Sequence, residues 1–195
     1  MKKILFIVYF ALFFVNNTLA DTKTEEREFI LYAKLPIVPK ISILQISTNL
    51  LEIDKEKFEL KFNVKTLNIV NYISSVNGDG LVFGIVKNNN YYPESYKYKY
   101  IRGSKEKSVY LEYSNEKIVK EIFKPQFDIN KLTPITNEQK FNTIDPATLF
   151  LRFLDINKIN KCNQDIKIYD GKRRYDIIFS DKNDRVGVLS PTYAM

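Results

Sequence analysis

The segment Asp165–Phe179, D-I-K-I-Y-D-G-K-R-R-Y-D-I-I-F, constrains the fold more than any other stretch of the chain. An Asp-Gly pair between two runs of alternating apolar and polar residues is among the strongest sequence signals for a β-hairpin. A two-residue turn at Asp170-Gly171 places Tyr169 opposite Lys172. The sequence therefore predicts antiparallel β-structure in the C-terminal part of the chain.

Because side chains alternate across a strand, this hairpin is expected to have one apolar and one polar face. Charges on the polar face form diagonal pairs of opposite sign, which makes that face self-consistent. Arg173 is the anomaly on the other face. It is interpreted either as a rim arginine whose head reaches solvent or as an anion-binding arginine. The apolar face carries Ile166, Ile168, Arg173, Tyr175, Ile177 and Phe179.

The segment Cys162–Asp176, C-N-Q-D-I-K-I-Y-D-G-K-R-R-Y-D, resembles the signature of the family called domain of unknown function 3108, exported proteins of Gram-negative bacteria. Weaker matches are Asp145-Pro146-Ala147 and Pro93-Glu94-Ser95-Tyr96, and the resemblance spans roughly residues 40–180. The resemblance implies a periplasmic, mostly β domain and supplies no catalytic residues. The family's sheet continues after this hairpin, whereas this chain ends in R-V-G-V-L-S-P-T-Y-A-M, so we expect a shortened or frameshifted C-terminus.

Residues 1–20 have the three parts of a secretory signal peptide. Lys2-Lys3 precede an unbroken apolar run, Ile4–Val15, and Thr18-Leu19-Ala20 provides a small-residue cleavage site. The apolar run is shorter than the ~20 residues that a membrane-spanning helix needs, which favours a cleaved peptide over an uncleaved anchor. We therefore expect a periplasmic protein with no transmembrane segment after cleavage.

The formal net charge of +7 is mild, and acidic residues are interleaved with the basic ones. Nucleic-acid binding is a poor explanation for an exported chain without a clustered basic face. The excess is consistent with a solvated basic surface or with attraction to an anionic membrane surface or envelope polymer.

Residues 21–40 are polar and are then interrupted by Pro36 and Pro39, and we interpret them as a tether or an edge segment. Residues 41–195 are expected to form a single curved antiparallel β domain. Its clearest strand is Phe58–Val64, in which aromatic and aliphatic residues alternate with polar ones. Residues 124–144 are irregular and are interpreted as a cover over the sheet or a mobile loop.

Two segments have helical periodicity. Residues 66–75 carry a short apolar stripe, and Asn77-Gly78 is expected to end that helix. Asp145 is the expected N-cap of the second helix, Pro146–Ile156. Short helices are unstable alone in water, so both should lie against the sheet. The apolar face of the second helix is predicted to consist of Leu149, Phe150, Phe153 and Leu154.

The predicted fold class is therefore mainly β (α+β): a curved antiparallel sheet or half-barrel of about seven to nine strands, with two short helices on its concave face. This outline is similar to the half-barrel of periplasmic lipoprotein carriers. The analogy concerns architecture alone.

The residues argue against an enzyme. The chain has no histidine, which removes Ser-His-Asp and Cys-His arrangements and most zinc sites. Its one cysteine, Cys162, has no internal disulfide partner; an intermolecular bridge and a buried thiol remain open, and the family resemblance favours a lost partner. Asp170 is explained by the turn and Asp176 by a neighbouring lysine rather than by paired-carboxylate catalysis. We therefore expect no catalytic residues, metal ligands or cofactors.

Four tyrosines, Tyr92, Tyr96, Tyr98 and Tyr100, fall on one face of the predicted strand 91–101. Tyrosine suits a half-exposed strand, and aromatic surface with a few polar tips is also typical of a ligand cavity. An amphipathic or anionic apolar molecule would suit such a groove. The candidate ligand-binding residues are Tyr96, Tyr98, Tyr100, Arg173 and Tyr175.

Two functions remain open. The first is a non-catalytic periplasmic protein that binds a lipid-like or apolar ligand, or an envelope protein. The second is a structural or protein-interaction module that pairs through an exposed sheet edge, which a shortened C-terminus would leave after Phe179.

Overall fold

The computed structural model describes residues 22–35, 38–53, 55–126, 134–154 and 164–179. The expected signal peptide, Cys162 and the C-terminal tail lie outside these ranges. Within them, the elements in chain order are β1 (Thr22–Leu35), β2 (Val38–Ile53), β3 (Lys57–Thr66), α1 (Asn68–Ile73), β4 (Val76–Lys87), β5 (Asn90–Arg102), β6 (Lys105–Ser114), β7 (Lys117–Lys124), β8 (Thr143–Ile144), α2 (Pro146–Leu154), β9 (Gln164–Tyr169) and β10 (Arg174–Phe179).

The first seven strands form one antiparallel sheet in chain order, from β1 at one edge to β7 at the other. The last three strands form a smaller sheet in the order β10-β9-β8. The expected fold class is confirmed: the protein is mostly β, with an open sheet and two short helices in its described part. The short strand β8 was not predicted, and it pairs with β9 in parallel.

Strand β1 corrects the interpretation of residues 21–40 as a tether. It pairs with β2 from Thr22 opposite Ile53 to Leu35 opposite Val38. Its polar sequence misled the prediction because an edge strand has few neighbours to bury its side chains. The alternative interpretation, an edge segment, matches the observed position of β1.

The core lies on the face of the large sheet that α2 covers, which we call the inner face. Phe58 and Leu60 of β3 point towards it, as their alternation predicts, and are 2% and 0% exposed. Val82 and Leu111, both 0% exposed, extend the core across β4 and β6. Of the irregular segment 124–144, Ile135 packs against this core, so part of that segment does cover the sheet.

Strand β4 carries glycine where its neighbours carry large side chains on the inner face. A Cβ atom at Gly80 would lie 2.0 Å from the Phe62 ring, and one at Gly84 would lie 2.5 Å from the Phe58 ring. The two phenylalanine rings therefore lie across β4 in space that any other residue would fill.

The two helices differ in how they meet the sheet. Helix α1 has no buried residue, so the expectation that it packs its apolar stripe on the concave face is wrong. It also ends at Ile73, before Asn77-Gly78, because those residues already pair in β4. Helix α2 does pack on the inner face.

The buried residues of α2 are not the predicted apolar face. Ala147, Thr148 and Leu151 are buried, and Ala147 and Leu151 belong to the main core. Leu149 packs instead against the small sheet, and the Phe150 ring meets the Phe29 ring edge-on at 5.0 Å. The helix is apolar on more than one side because it lies between two sheets.

The C-terminal hairpin exists, but its turn is longer than predicted. Tyr169 pairs with Arg174, which leaves the four residues 170–173 in the turn. The backbone N–H of Asp170 donates to the backbone oxygen of Arg173 at 3.2 Å. The Asp170 carboxylate also accepts hydrogen bonds from the backbone N–H groups of Lys172 (2.7 Å) and Arg173 (2.6 Å), so backbone and side chain together close the loop.

The register therefore shifts by two residues, which preserves the predicted faces. Lys167 lies directly opposite Asp176 rather than diagonally, and Arg174 forms an ion pair with Asp176 at 2.8 Å. The predicted polar face is not solvated throughout, because Tyr169 is 4% exposed and belongs to the main core.

The turn is also the place where the hairpin meets the large sheet. Gly171 has φ +88, and a Cβ atom there would lie 2.6 Å from Val109 Cγ1 and 2.8 Å from Phe123 Cε1. Only glycine fits both the backbone conformation and this close approach.

Gly171→Ala should therefore lower the free energy of unfolding by about 2–4 kcal/mol, from left-handed strain and overpacking together. Gly103 is the matched control: it has φ +62 but nothing within 4 Å of its added Cβ. Gly103→Ala should cost only the strain, about 1 kcal/mol. Urea denaturation of both variants measures the difference, and equal losses would contradict the close approach at Gly171.

Candidate ligand-binding groove

A groove of about 350 Å³ remains open between the inner face and the elements that cover it. The floor comes from strands β2, β3, β5 and β6, and the cover comes from the start of α2 and the turn between β9 and β10. The expectation that α2 plugs the concave side is therefore only partly met. The lining residues are Ile46, Thr48, Leu60, Phe62, Val64, Tyr96, Tyr98, Tyr100, Val109, Pro146, Ala147, Phe150, Asp170 and Lys172.

Aromatic rings form one wall of the groove. The ring of Tyr98 stacks between those of Phe62, at a centroid distance of 5.6 Å, and Tyr100, at 5.0 Å. Tyr96 continues the row and stacks on Phe62 at 6.3 Å. Tyr96 is 4% exposed, whereas Tyr98 and Tyr100 are half-buried, so the row runs from the core towards solvent.

A β-bulge decides which tyrosines line the groove. Phe83 of β4 pairs with Ser95, but the next residue, Gly84, pairs with Pro93, so Glu94 is an extra residue in β5. The bulge reverses the alternation of side chains. Tyr91, 3% exposed, therefore joins the core on the inner side, and Tyr92 is not among the lining residues. The prediction that Tyr92 shares a face with Tyr96 is wrong for this reason.

The other two predicted site residues lie away from the groove. Arg173 is exposed in the hairpin turn and is not among the residues that line the cavity, so its position agrees with an arginine whose head reaches solvent. Tyr175 is half-buried against the small-sheet cluster, and its hydroxyl donates a hydrogen bond to Asp170 Oδ2 at 3.2 Å. The structure thus brings together Tyr96, Tyr98 and Tyr100, but not Arg173 or Tyr175.

Several lining residues were not predicted as site residues. Phe62 and Val64 were expected to point inward, but only as core, and Ile46 and Thr48 face them from β2. Their inward alternation was the available signal. Nothing in the sequence indicated that α2 would leave this part of the inner face uncovered.

The start of α2 is fixed by Asp145, as predicted for an N-cap. Asp145 is 0% exposed, and its Oδ1 accepts hydrogen bonds from the backbone N–H groups of Ala147 and Thr148, both at 2.9 Å. Its Oδ2 accepts a hydrogen bond from the Thr148 hydroxyl at 2.6 Å. These bonds satisfy donors of the first helical turn and set the edge of the groove's cover.

Arg152 ties the other end of α2 to the sheet. Its Nε and Nη2 both donate to the backbone oxygen of Tyr91, at 2.9 and 2.7 Å. The guanidinium also lies 4.9 Å from the centre of the Tyr92 ring, within cation–π range. The helix is therefore anchored at both ends.

The tyrosine side chains of the groove are uncharged near neutral pH. Burial raises the pKa of Tyr98 to about 12, and burial followed by the charge of Asp145 raises the pKa of Tyr96 well above its usual value. Burial also raises the pKa of Tyr100, although the charge of Arg102 opposes it. All three phenols stay neutral, so they offer apolar ring faces with hydroxyl groups that can donate or accept a hydrogen bond.

The charged groups of the groove lie at the hairpin turn. Asp170 is engaged by the turn's own N–H groups and by the Tyr175 hydroxyl, and Lys172 lies beside it. The described residues contain no group of three or more cysteine, aspartate or glutamate side chains that could hold a metal ion. Chemically, the arrangement can accommodate an apolar molecule.

Burial raises the pKa of Asp145 to about 6, from an ordinary value of 3.8, despite the hydrogen bonds it accepts. Between pH 3.8 and about 6, the Asp145 carboxyl therefore holds a proton in the folded state more often than in the unfolded chain. The free energy of unfolding should therefore lose up to ~3 kcal/mol from this group as the pH rises through that window.

Asp145→Asn removes the titration, while the side-chain oxygen can still accept the helix N–H groups. Urea denaturation of both proteins across that pH range gives the comparison. As the pH rises, the free energy of unfolding of the variant should fall less than that of the unchanged protein, because the contribution of Asp145 is absent. Identical pH profiles for the two proteins would contradict a raised pKa.

In the described part of the chain, no helix has the length and apolar composition needed to cross a membrane. No curated protein and no solved structure matches the chain. A family model with the description "Protein of unknown function (DUF3108)" matches residues 32–190, which is most of the sequence. The chain therefore belongs to the DUF3108 family, as the hairpin motif indicated.

Proposed function

We propose that the protein binds an apolar, lipid-like molecule in the groove between the tyrosine row and α2, and that it does so in the periplasm. The observation that carries this proposal is the cavity of about 350 Å³ on the inner face. A sheet of this kind normally fills the space beneath its covering helix with side chains. Here the helix is anchored at both ends and leaves that space open.

The size and lining of the groove support an apolar ligand. Its volume falls in the range of about 300–1,000 Å³ that small-molecule sites occupy. The floor is aliphatic and aromatic, from Ile46 and Val64 to the ring of Phe62. The tyrosine hydroxyls, Thr48 and the hairpin turn supply a few polar groups that could orient a ligand.

Binding rather than catalysis fits the chemistry of the lining. The three phenols have raised pKa values and are therefore poor nucleophiles and bases near neutral pH. The carboxylate of Asp170 is used by the turn. Asp176 is paired with Arg174 on β10. None of these groups is poised for proton transfer or attack.

Native mass spectrometry of the protein from a periplasmic extract tests the proposal directly. We expect a bound species that dissociates on activation and extracts into organic solvent. The same spectrum should show a chain that begins at Asp21. Ligand binding would be contradicted if the protein carried no bound species and also failed to bind cis-parinaric acid, a fluorescent fatty acid. Recovery of the protein only from the cytoplasm would contradict the proposed location.

Ile46→Trp should block the groove. Ile46 is half-buried on β2 and lines the cavity, so an indole there occupies the space proposed for the ligand. We expect the affinity for cis-parinaric acid to fall by about tenfold or more, with little change in the urea midpoint.

Ile122→Trp is the control for this substitution. It makes the same change at a residue of β7 that is 41% exposed and pairs with Tyr110, away from the groove. Its affinity should equal that of the unchanged protein. Equal affinity in both variants would place the ligand elsewhere.

Pairing through a sheet edge is the second candidate function. Strand β1 spans 14 residues at the edge of the large sheet, and β10 is an edge of the small sheet. The N-terminal half of β1 is densely charged, which protects an edge against unselective pairing, so β10 is the better edge for a partner strand. Photo-crosslinkers at Ile177 should capture a partner in the periplasm if this function holds, and uncrosslinked monomer would count against it.

A further inference from the structure

Helix α1 displays apolar side chains that the core does not use. Tyr72 is 91% exposed, Ile73 is 80% exposed and Ile69 is 56% exposed. No residue of the helix is buried. A short helix gains little stability from such side chains in water, and exposed apolar clusters usually mark contact with a partner or a membrane.

The neighbouring strands enlarge this apolar surface. Helix α1 is tied to the start of β2, where the backbone N–H of Leu67 donates to the oxygen of Ile43 at 3.0 Å. The register of the sheet brings exposed residues of β1 to the same place, because Leu31 pairs with Leu44 and Tyr32 pairs with Ser42. We call the exposed apolar residues at this end the apolar patch: Ile30, Tyr32, Ile69, Tyr72 and Ile73, all more than 40% exposed. Leu31 alternates to the other face of β1, the side on which Phe29 meets Phe150.

Basic side chains gather at the same end of the large sheet. The pairings Val64–Gly78, Gly78–Tyr100 and Tyr100–Lys107 run across the strands at this end. The acidic groups here are Glu28, Asp79 and Glu106. Glu106 is paired with Lys99 at 2.9 Å. The basic residues are Lys40, Lys65, Arg102, Lys105 and Lys107, of which all but Lys107 are exposed.

The opposite end of the sheet has a weaker basic bias, with Lys87 as an isolated base. Its turns carry acids beside bases, with Glu56 between Lys55 and Lys57, and Glu116 next to Lys117. Positive charge and exposed apolar surface therefore coincide at one end of the sheet, which is the combination that anionic lipid headgroups and the interfacial acyl region attract.

We infer that this end of the protein docks on the surface of an anionic lipid bilayer, with Tyr72 and Ile73 entering the interface and the surrounding lysine and arginine side chains on the headgroups. Tyrosine favours this depth because its ring is apolar and its hydroxyl is polar. Lys40 lies 4.0 Å from the centre of the Tyr32 ring, so one cation is already held beside an aromatic of the patch.

The charge of the surface favours a bilayer over a second copy of the chain. A symmetric dimer would bring the same patch of each protomer together. The bases around the patch would then face bases, which costs affinity, whereas an anionic membrane satisfies them. The docking surface does not depend on an occupied groove.

The orientation is nevertheless suited to ligand exchange. The groove residues Ile46, Val64 and Tyr100 lie at the docking end, and the tyrosine row becomes more exposed from Tyr96 towards Tyr100. Docking as inferred would turn this more accessible end of the groove towards the bilayer.

Vesicle flotation tests the inference. The protein is taken as purified after export, with its N-terminus established by mass spectrometry, and mixed with phosphatidylcholine vesicles or with mixed phosphatidylcholine–phosphatidylglycerol vesicles. We expect binding to the anionic vesicles only, and release as salt is added. No flotation with either vesicle would overturn the inference.

Paired variants locate the surface. Tyr72→Ser with Ile73→Ser should reduce partitioning by about tenfold or more, while Tyr72→Trp should retain it. Phe83→Ser with Val119→Ser removes two exposed apolar side chains elsewhere, at 42% and 58% exposure, and should leave partitioning unchanged. Equal losses in the two serine pairs would overturn the assignment.

Charge reversal provides the second arm. Lys65→Glu with Lys105→Glu should also lower partitioning by about tenfold or more, whereas the same change at Lys87 and Lys117, at the opposite end, should have little effect. Equal losses from both reversals would show attraction by net charge alone and would overturn the docking surface. The protein could instead form a dimer and fail to bind vesicles. If the Tyr72 and Ile73 substitutions dissociated that dimer, the surface would be assigned to contact with a second copy of the chain.

Discussion

The inner face of the large sheet has to be removed from water, and this requirement shapes the described structure. Large side chains of β3, β4 and β6 point to that face, and the sheet does not close on itself to bury them. Helix α2 and the hairpin of β9 and β10 cover it instead. Each covering element is held by a few specific contacts: Asp145 and Arg152 for the helix, and the close approach of Gly171 for the hairpin.

These contacts hold the cover at both sides without requiring it to fill the space beneath. Leu151 and Tyr169 reach the core, while Phe62 and the stacked tyrosines meet a gap. The glycines of β4 contribute to the same geometry, because they leave room for phenylalanine rings of β3 to lie over β4. Rigid anchors and an open interior are the combination expected of a binding site that is largely formed before its ligand arrives.

Period-two alternation and local turn signals predicted the strands from Phe58 onward except β8, the N-cap at Asp145 and the existence of the hairpin. What they missed depended on contacts between elements. The observed turn is closed by hydrogen bonds of both the backbone and the side chain of Asp170. The displacement of Tyr92 follows from an extra residue at Glu94. Of the candidate site, the tyrosine row was predicted, but its opposite wall was not, since the placement of α2 is a tertiary property.

The covering elements come after all seven strands of the large sheet in the chain. Arg152 reaches back across 61 residues to bond with Tyr91, and the hairpin turn reaches β6 and β7 from still further along. A chain that emerges from its N-terminus can therefore complete the sheet while the inner face is bare. An apolar molecule, or a chaperone, can meet the full width of that face during this interval. If the proposed ligand binds then, it need not enter through the finished mouth of the groove.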